Sequence, residues 1–199
     1  MGEIDHTYWY LTRATGLVSY VLLFSSVTLG LLLTGDLMSR WLQRYRVYDV
    51  HRFLALITLG LTAVHVFIVL PDRYLRFSLF ELLAPFASPY RSAYMALGAF
   101  AFYVMIIVVG AFYLRPRVTY RGWRLLHYAT FAVFTLALVH GAGAGVDAGS
   151  VWSRAMYAVT GLTVFNLTVH RALKGSTRGV PQRPPASRTA APRTSETQF

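Results

Sequence analysis

The chain contains no cysteine. That absence removes disulfide frameworks, thiolate zinc sites, iron–sulfur clusters, cysteine nucleophiles and covalent heme attachment through C-x-x-C-H. Any metal must therefore be held by nitrogen or oxygen. Acidic residues are scarce as well: 8 Asp plus Glu stand against 19 Lys plus Arg in 199 residues, a formal net charge of +11. In a soluble domain such an excess suggests nucleic acid. Here only 14% of the residues are charged and long apolar runs separate them, so a nucleic-acid-binding domain is not expected. There is no internal repeat and no glycine-rich phosphate loop. What the chain has in abundance is apolar surface, 55% hydrophobic residues, a composition suited to lipid.

Five stretches are long and apolar enough to cross a hydrocarbon core about 30 Å thick: residues 14–34, 50–70, 93–114, 125–145 and 151–170. The first is not a cleavable leader, because Glu3 and Asp5 stand where a positive n-region is needed and the apolar run is too long for an h-region. The expected fold is an all-α, polytopic membrane helix bundle of five transmembrane helices. The outer loop 71–92 carries Phe77, Leu79, Phe80, Leu82, Leu83 and Phe86, too apolar for a free loop and too short to span, and predicts a short extracytoplasmic interfacial helix or lid. Residues 1–173 form the membrane domain; 174–199, rich in Pro, Ser, Thr and Arg, reads as a disordered basic cytoplasmic tail.

Orientation follows from the basic residues. One set of loops and helix ends holds five, Arg13, Arg73, Arg76, Arg91 and Arg154; the other holds the remaining fourteen. The positive-inside rule places the second set in the cytoplasm, with the N-terminus outside and the C-terminus inside.

Four of the six histidines fall inside two predicted helices, and an ionisable or metal-binding group at membrane depth is by default functional. His51 and His65 are 14 positions apart in the second span, His127 and His140 are 13 apart in the fourth. At about 1.5 Å per residue each pair is separated by roughly 20 Å along its helix, one member per leaflet. Both helices enter from the cytoplasm and run parallel. His51 and His127 thus share the inner level, and His65 and His140 the outer. Two clamps of neutral imidazoles in an apolar bundle without cysteine suit two six-coordinate b-type hemes, one above the other. Zinc would want four ligands per site, and a proton relay would want carboxylates that the spans lack. Fourteen steps of about 100° bring His51 and His65 to one face, whereas thirteen fall about 140° short of closure, so the fourth helix must bend or present its histidines on different azimuths.

Other residues fit that frame. Gly16 and Gly30, again 14 apart, would let a flat macrocycle lie against the first helix, or simply let helices pack closely. Anionic heme propionates need partners near the two faces: Arg52, Arg121 and Arg124 are candidates inside, Arg13 and Arg91 outside, each also explicable as an interfacial arginine. Phe131 and Phe134 are candidates for packing between the heme levels. His6 and His170 read as ordinary interfacial residues.

The run Asp49-Val50-His51-Arg52-Phe53-Leu54 leading to Val64-His65, with Trp123-Arg124-Leu125-Leu126-His127 leading to Val139-His140, resembles the ferric reductase-like transmembrane domain family. The opening Trp9-Tyr10-Leu11-Thr12-Arg13-Ala14-Thr15-Gly16 and the loop Phe86-Ala87-Ser88-Pro89-Tyr90-Arg91 are similar to its small bacterial members, and the likeness covers roughly residues 8 to 171. The spacings of 14 and then 13 are similar to those of NADPH oxidases and ferric reductases. The resemblance implies a bis-heme core in a bacterial plasma membrane, His51 with His127 ligating the inner heme and His65 with His140 the outer. Electrons would pass from a cytoplasmic donor, a separate flavin reductase or a quinol, to an extracytoplasmic acceptor such as ferric iron, oxygen or a partner reductase. Unlike the oxidases, the chain carries no G-x-G-x-x-G context or strand pattern after His170, so it is expected to act as the heme subunit of an oxidoreductase without a flavin or NAD(P) domain of its own. Bacterial relatives include the heme-binding membrane subunit of a periplasmic methionine sulfoxide reductase, where six helices are expected and this chain offers five. The competing reading is a heme-free scaffold or transporter-like module, although broken helices and mid-depth polar residues are weakly represented. A redox or gas sensor is a third, disfavoured because bis-histidine ligation leaves no open iron position.

Overall fold

The hydroxyl groups of the apolar helices show how this chain meets the demands of lipid. In the computed structural model, which describes residues 6–33, 44–72 and 76–177, Thr12, Thr15, Ser25, Thr58, Thr62, Thr135, Thr160, Thr163 and Thr168 each donate to the carbonyl four residues back at 2.7–2.9 Å. None of these nine groups needs water, which is the condition for keeping polar side chains within a bilayer; Ser19 and Thr28 of α1 are the exceptions, buried hydroxyls with no partner among the described residues.

The described residues form six α-helices and no strand: α1 (Thr7–Leu33), α2 (Arg44–Phe67), α3 (Leu79–Leu83), α4 (Ser92–Tyr113), α5 (Tyr120–Ala144) and α6 (Val151–Thr177). Short 3-10 turns at Arg115–Arg117 and Val146–Gly149 link α4 to α5 and α5 to α6. Four helices are long and apolar enough to cross a membrane: Thr7–Leu33, Tyr45–Phe67, Ser92–Tyr113 and Tyr120–Ala144. The fifth expected span corresponds to α6, as long as α1 at 27 residues but not among those four, because Ser153, Arg154, Thr160, Thr163, Asn166 and Thr168 dilute its apolar run. The outer-loop helix shrinks to the five residues of α3. The tail beyond residue 177, Arg73, and the loop 34–43 lie outside the described residues.

Helices α1 and α2 form one antiparallel pair and α4 and α5 another; α1 meets α5, α2 meets α4, and α6 rests on α1 and α5. Two buried clusters lock this arrangement. Tyr20, Val27 and Leu31 of α1 pack with Phe134 of α5 and Val164 of α6, while Phe102 and Met105 of α4 enclose Val133 of α5 against Leu59, Ala63 and Val66 of α2. The Tyr20 hydroxyl and Thr160 Oγ1 share a hydrogen bond of 2.5 Å, tying α6 to the centre of α1. Large apolar side chains also face outward on every long helix, among them Phe53, Ile107, Leu125 and Phe165, at exposures from 54% to 72%. In water this surface would be a severe liability; against acyl chains it is the expected one.

The outer loop is anchored at both ends. Ser78 caps α3 in a reciprocal capping box: Glu81 N–H donates to Ser78 Oγ at 3.2 Å, and the Ser78 N–H donates to Glu81 Oε2 at 2.7 Å. That backbone donor, aided by the Ser78 hydroxyl at 2.8 Å, holds the Glu81 carboxyl below its ordinary pKa. Tyr103 of α4 donates its hydroxyl proton to Leu83 O. At the start of α4, Arg91 adopts a left-handed conformation, φ 41°, uncommon for a residue with a side chain. The bend turns Tyr90 and Arg91 onto the last turn of α5, where Tyr90 donates to Ala144 O at 3.1 Å and Arg91 to Gly143 O. Donors placed on those free terminal carbonyls offset the strain.

Candidate functional site

The four intramembrane histidines come together in two pairs. His51 of α2 faces His127 of α5 with ring centroids 6.1 Å apart and planes at 82°; His65 faces His140 at 6.4 Å and 75°. The pairing matches the shared levels expected from two parallel helices. The 13-residue spacing on α5 does not keep its histidines off the partner helix.

Three of the rings are anchored by the same device. His51 Nδ1 lies 2.9 Å from Ser26 O, His65 Nδ1 2.9 Å from Thr12 O, and His140 Nδ1 2.8 Å from Tyr94 O. A carbonyl can only accept, so each Nδ1 carries the proton and each Nε2 keeps its lone pair. In every case the residue four positions beyond the carbonyl is a glycine: Gly30, Gly16 and Gly98. A helical side chain covers the turn on its N-terminal side, so the missing side chain opens the carbonyl to an approaching ring. A Cβ at Gly98 would lie 2.7 Å from His140 Nδ1, one at Gly16 2.8 Å from His65 Cε1, and one at Gly30 3.3 Å from His51 Cε1. Gly16 and Gly30, singled out in the sequence as a platform for a macrocycle or a packing contact, thus seat imidazole edges. Gly98 carried no signal of its own, because its partner histidine lies 42 positions away on another helix.

His127 is held differently. Its ring stacks on Trp123, one turn earlier on α5, at 5.2 Å between centroids and 19° between planes. Trp123 in turn lies under the Arg115 guanidinium at 3.9 Å.

Around the inner pair opens a cavity of about 780 Å³, within the usual size of small-molecule and cofactor sites. Its wall includes His51, His127, Gly30, Phe112 and Phe131, and its mouth gathers Arg52, Arg115, Arg124, His170 and Arg171. Of the expected propionate partners, Arg52 and Arg124 line this space; Arg121 is exposed and is not part of the lining. Arg115 and Arg171, explained in the sequence by the positive-inside count alone, and His170, read there as interfacial, are brought to it. At the outer end Arg13 is engaged by Asp147 through Nε at 3.1 Å and a terminal nitrogen at 2.5 Å, and lies over Trp9 at 4.5 Å. Arg91 is turned to Gly143, as described. Phe131 borders the cavity, whereas Phe134 is buried beside Tyr20 at 6.0 Å between rings.

Whether these pairs suit one metal each is a matter of length. With metal–nitrogen bonds of about 2.0–2.1 Å and about 1.2 Å from ring nitrogen to ring centre, two imidazoles on opposite sides of one metal place their centroids about 6.4 Å apart. The outer pair, at 6.4 Å, meets that value, and the inner pair, at 6.1 Å, is slightly closer. Among the described residues no group of three or more His, Asp or Glu side chains gathers to hold a metal. The donor set, neutral nitrogen without thiolate or carboxylate, fits a tetrapyrrole iron better than a bare cation.

Among known proteins, the family model described as the ferric reductase-like transmembrane component matches residues 15–138, a stretch that includes His51, His65 and His127 and ends two residues before His140. No curated protein and no solved structure matches the chain.

Proposed function

Because the chain belongs to the family of ferric reductase-like transmembrane components, with which membrane electron transfer is associated, we propose that it moves electrons across a bilayer through two b-type hemes. The observation that carries this reading is the pair of facing imidazole couples, both at a metal-spanning separation, on parallel helices.

His51 and His127 would hold the inner heme, His65 and His140 the outer. When bound, each heme would supply a one-electron Fe(III)/Fe(II) couple, suited to passing electrons. The residues do the rest. The carbonyls of Ser26, Thr12 and Tyr94 fix the tautomer and ring plane of three ligands, so that little reorganisation accompanies a change of charge. Fourteen residues of α2 set the two levels about 21 Å apart at 1.5 Å per residue. Apolar packing by Phe102, Met105, Val133 and Phe134 keeps water from the space between them. Arg52, Arg115, Arg124 and Arg171 supply positive charge at the inner mouth for carboxylates of a bound group. Outside, Arg13 is neutralised by Asp147 and holds α1 to the turn before α6.

The same reading makes α6 the fifth span. Val151, Val159, Leu162, Phe165, Val169 and Leu173 form an exposed apolar stripe suited to lipid, while Thr160 and Val164 face the bundle. It sets α3 in the outer interface, with Leu79 and Phe80 toward acyl chains, and puts the arginine-rich ends in the cytoplasm of a bacterial plasma membrane. The donor is then a separate flavin reductase or quinol, and the acceptor is ferric iron, oxygen or a partner reductase outside. The test is spectral. His51→Ala and His65→Ala, each purified in detergent with ample heme during expression, should each lose about half of the Soret absorbance and leave different residual potentials. Heme content unchanged in both variants refutes the ligand assignment, and a colourless wild-type protein favours the heme-free scaffold.

A further inference from the structure

The two clamps are built unequally. Among the described residues, His51, His65 and His140 each have a backbone carbonyl at Nδ1, and His127 has none. The cause lies in α4. Its Gly98 opens the Tyr94 carbonyl to the outer ring, but the position 14 residues on, level with the inner clamp in this antiparallel helix, is Phe112. Phe112 instead supports the Arg115 guanidinium at 4.4 Å. Arg115 spans from there to the Trp123 ring at 3.9 Å and donates to the Tyr48 hydroxyl at 3.1 Å, while its buried Nε has no hydrogen-bond partner among the described residues. Cation, indole and imidazole therefore form one stack that ends on an inner ligand.

We propose that Arg115 and Trp123 are positioning residues that raise the reduction potential of the inner site above that of the outer. The inference rests on the two-heme reading above. Two effects act with the same sign. An imidazole that donates Nδ1–H to a carbonyl is a more basic ligand and favours the oxidised metal, so the absence of that acceptor at His127 favours the reduced one. A guanidinium held in a low-dielectric stack disfavours the oxidised form, which carries one more positive charge than the reduced. Arg52, Arg124 and Arg171 line the same cavity and add to the effect, but only Arg115 is seated on the stack of a ligand. An electron arriving from the cytoplasm then rests at the inner level, and its outward step is drawn by the acceptor.

The experiment is redox potentiometry with optical and electron paramagnetic readout on the full chain. Wild type should show two components of different midpoint. His65→Ala, which spares the inner pair, should retain the upper one. Arg115→Gln should lower the upper midpoint and leave the lower in place, Arg115→Lys should stay near wild type, and Trp123→Leu should lower the upper midpoint by less. Trp123→Leu should also change the ferric signal of the upper component alone, since nothing then fixes the plane of His127. The proposal is overturned if His65→Ala retains the lower component, or if Arg115→Gln or Trp123→Leu leaves the upper midpoint where it was. Those outcomes, in a protein with two hemes, leave the electron-transfer reading standing; fewer than two hemes in wild type defeats that reading instead.

Discussion

Adding one methyl group at Gly98 should weaken heme binding at the outer histidine pair while leaving the fold intact. A Cβ there would sit 2.7 Å from His140 Nδ1, 2.8 Å from Cε1 and 3.0 Å from Cγ. These are below contact distance, and the same nitrogen is held by Tyr94 O at 2.8 Å. The ring cannot retreat without losing that hydrogen bond or leaving its position opposite His65. Overpacking of this kind costs about 1–3 kcal/mol, and the lost hydrogen bond about 0.5–1.5 kcal/mol more. Taken as a loss of cofactor affinity at 1.4 kcal/mol per decade, a combined cost of about 2–4 kcal/mol is roughly 30-fold to several hundredfold. Gly110→Ala is the control on the same helix, since a Cβ there meets nothing within 4 Å. Gly16→Ala, at 2.8 Å from His65, should act like Gly98→Ala, and Gly30→Ala, at 3.3 Å from His51, should weaken the inner site only mildly. The assay is heme per chain after dilution against apomyoglobin as a trap, with helix content by circular dichroism. If Gly98→Ala keeps both hemes at the dissociation rate of Gly110→Ala, the seat-and-anchor reasoning is wrong.

Other outcomes follow from single contacts. The Arg13–Asp147 pair, with side chains 31% and 25% exposed, should show a coupling of about 0.2–1 kcal/mol in a double-mutant cycle of Arg13→Gln and Asp147→Asn on thermal unfolding; a coupling of zero would leave the pair without a stabilising role. Glu81, whose pKa is lowered by the Ser78 donors, favours the capped α3 when charged. The capped turn should therefore be fully favoured above the ordinary carboxylate pKa and lose that contribution as the pH falls through the depressed value. Amide exchange at residues 79–84 reads this, and Glu81→Gln should abolish the dependence. If each pair holds a heme iron, ring planes at 82° and 75° would leave the two orbitals that mix with the imidazoles nearly degenerate, and the ferric protein should give strongly anisotropic low-spin signals; a rhombic signal typical of parallel imidazoles contradicts that geometry.

The levels of the four histidines were legible because helical rise is constant and apolar runs fix where each helix starts, so spacings of 14 and 13 translate directly into depth. The azimuth was not: an ideal wheel turns His127 away from the face of His140, yet both meet α2 partners in the packed bundle. The glycine device was half legible. Gly16 and Gly30 share the histidine spacing on one helix, but what they uncover is a backbone carbonyl, which no side-chain pattern records. Gly98 has no such partner in its own helix. Arg115 was hidden in a run of arginines that the positive-inside rule explains already, and only the turn at Arg115–Arg117 lays it over Trp123. The fifth expected span illustrates the opposite limit. Its residues 151–170 read as apolar in a short window, while Thr163, Asn166 and Thr168 donate to carbonyls of their own helix and Thr160 is also met by Tyr20 of α1. His170 was set aside for its place at a helix end, and the packing of α6 against α5 brings it to the inner cavity.

The central claim is that two facing imidazole pairs hold two b-type hemes in one chain. Its most direct test is quantified heme per chain in the intact wild-type protein, by pyridine hemochrome against amino-acid analysis, together with the reduced-minus-oxidised spectrum. A value near two with low-spin bis-histidine bands is expected, and a value of one or zero in protein expressed with excess heme contradicts the two-heme reading.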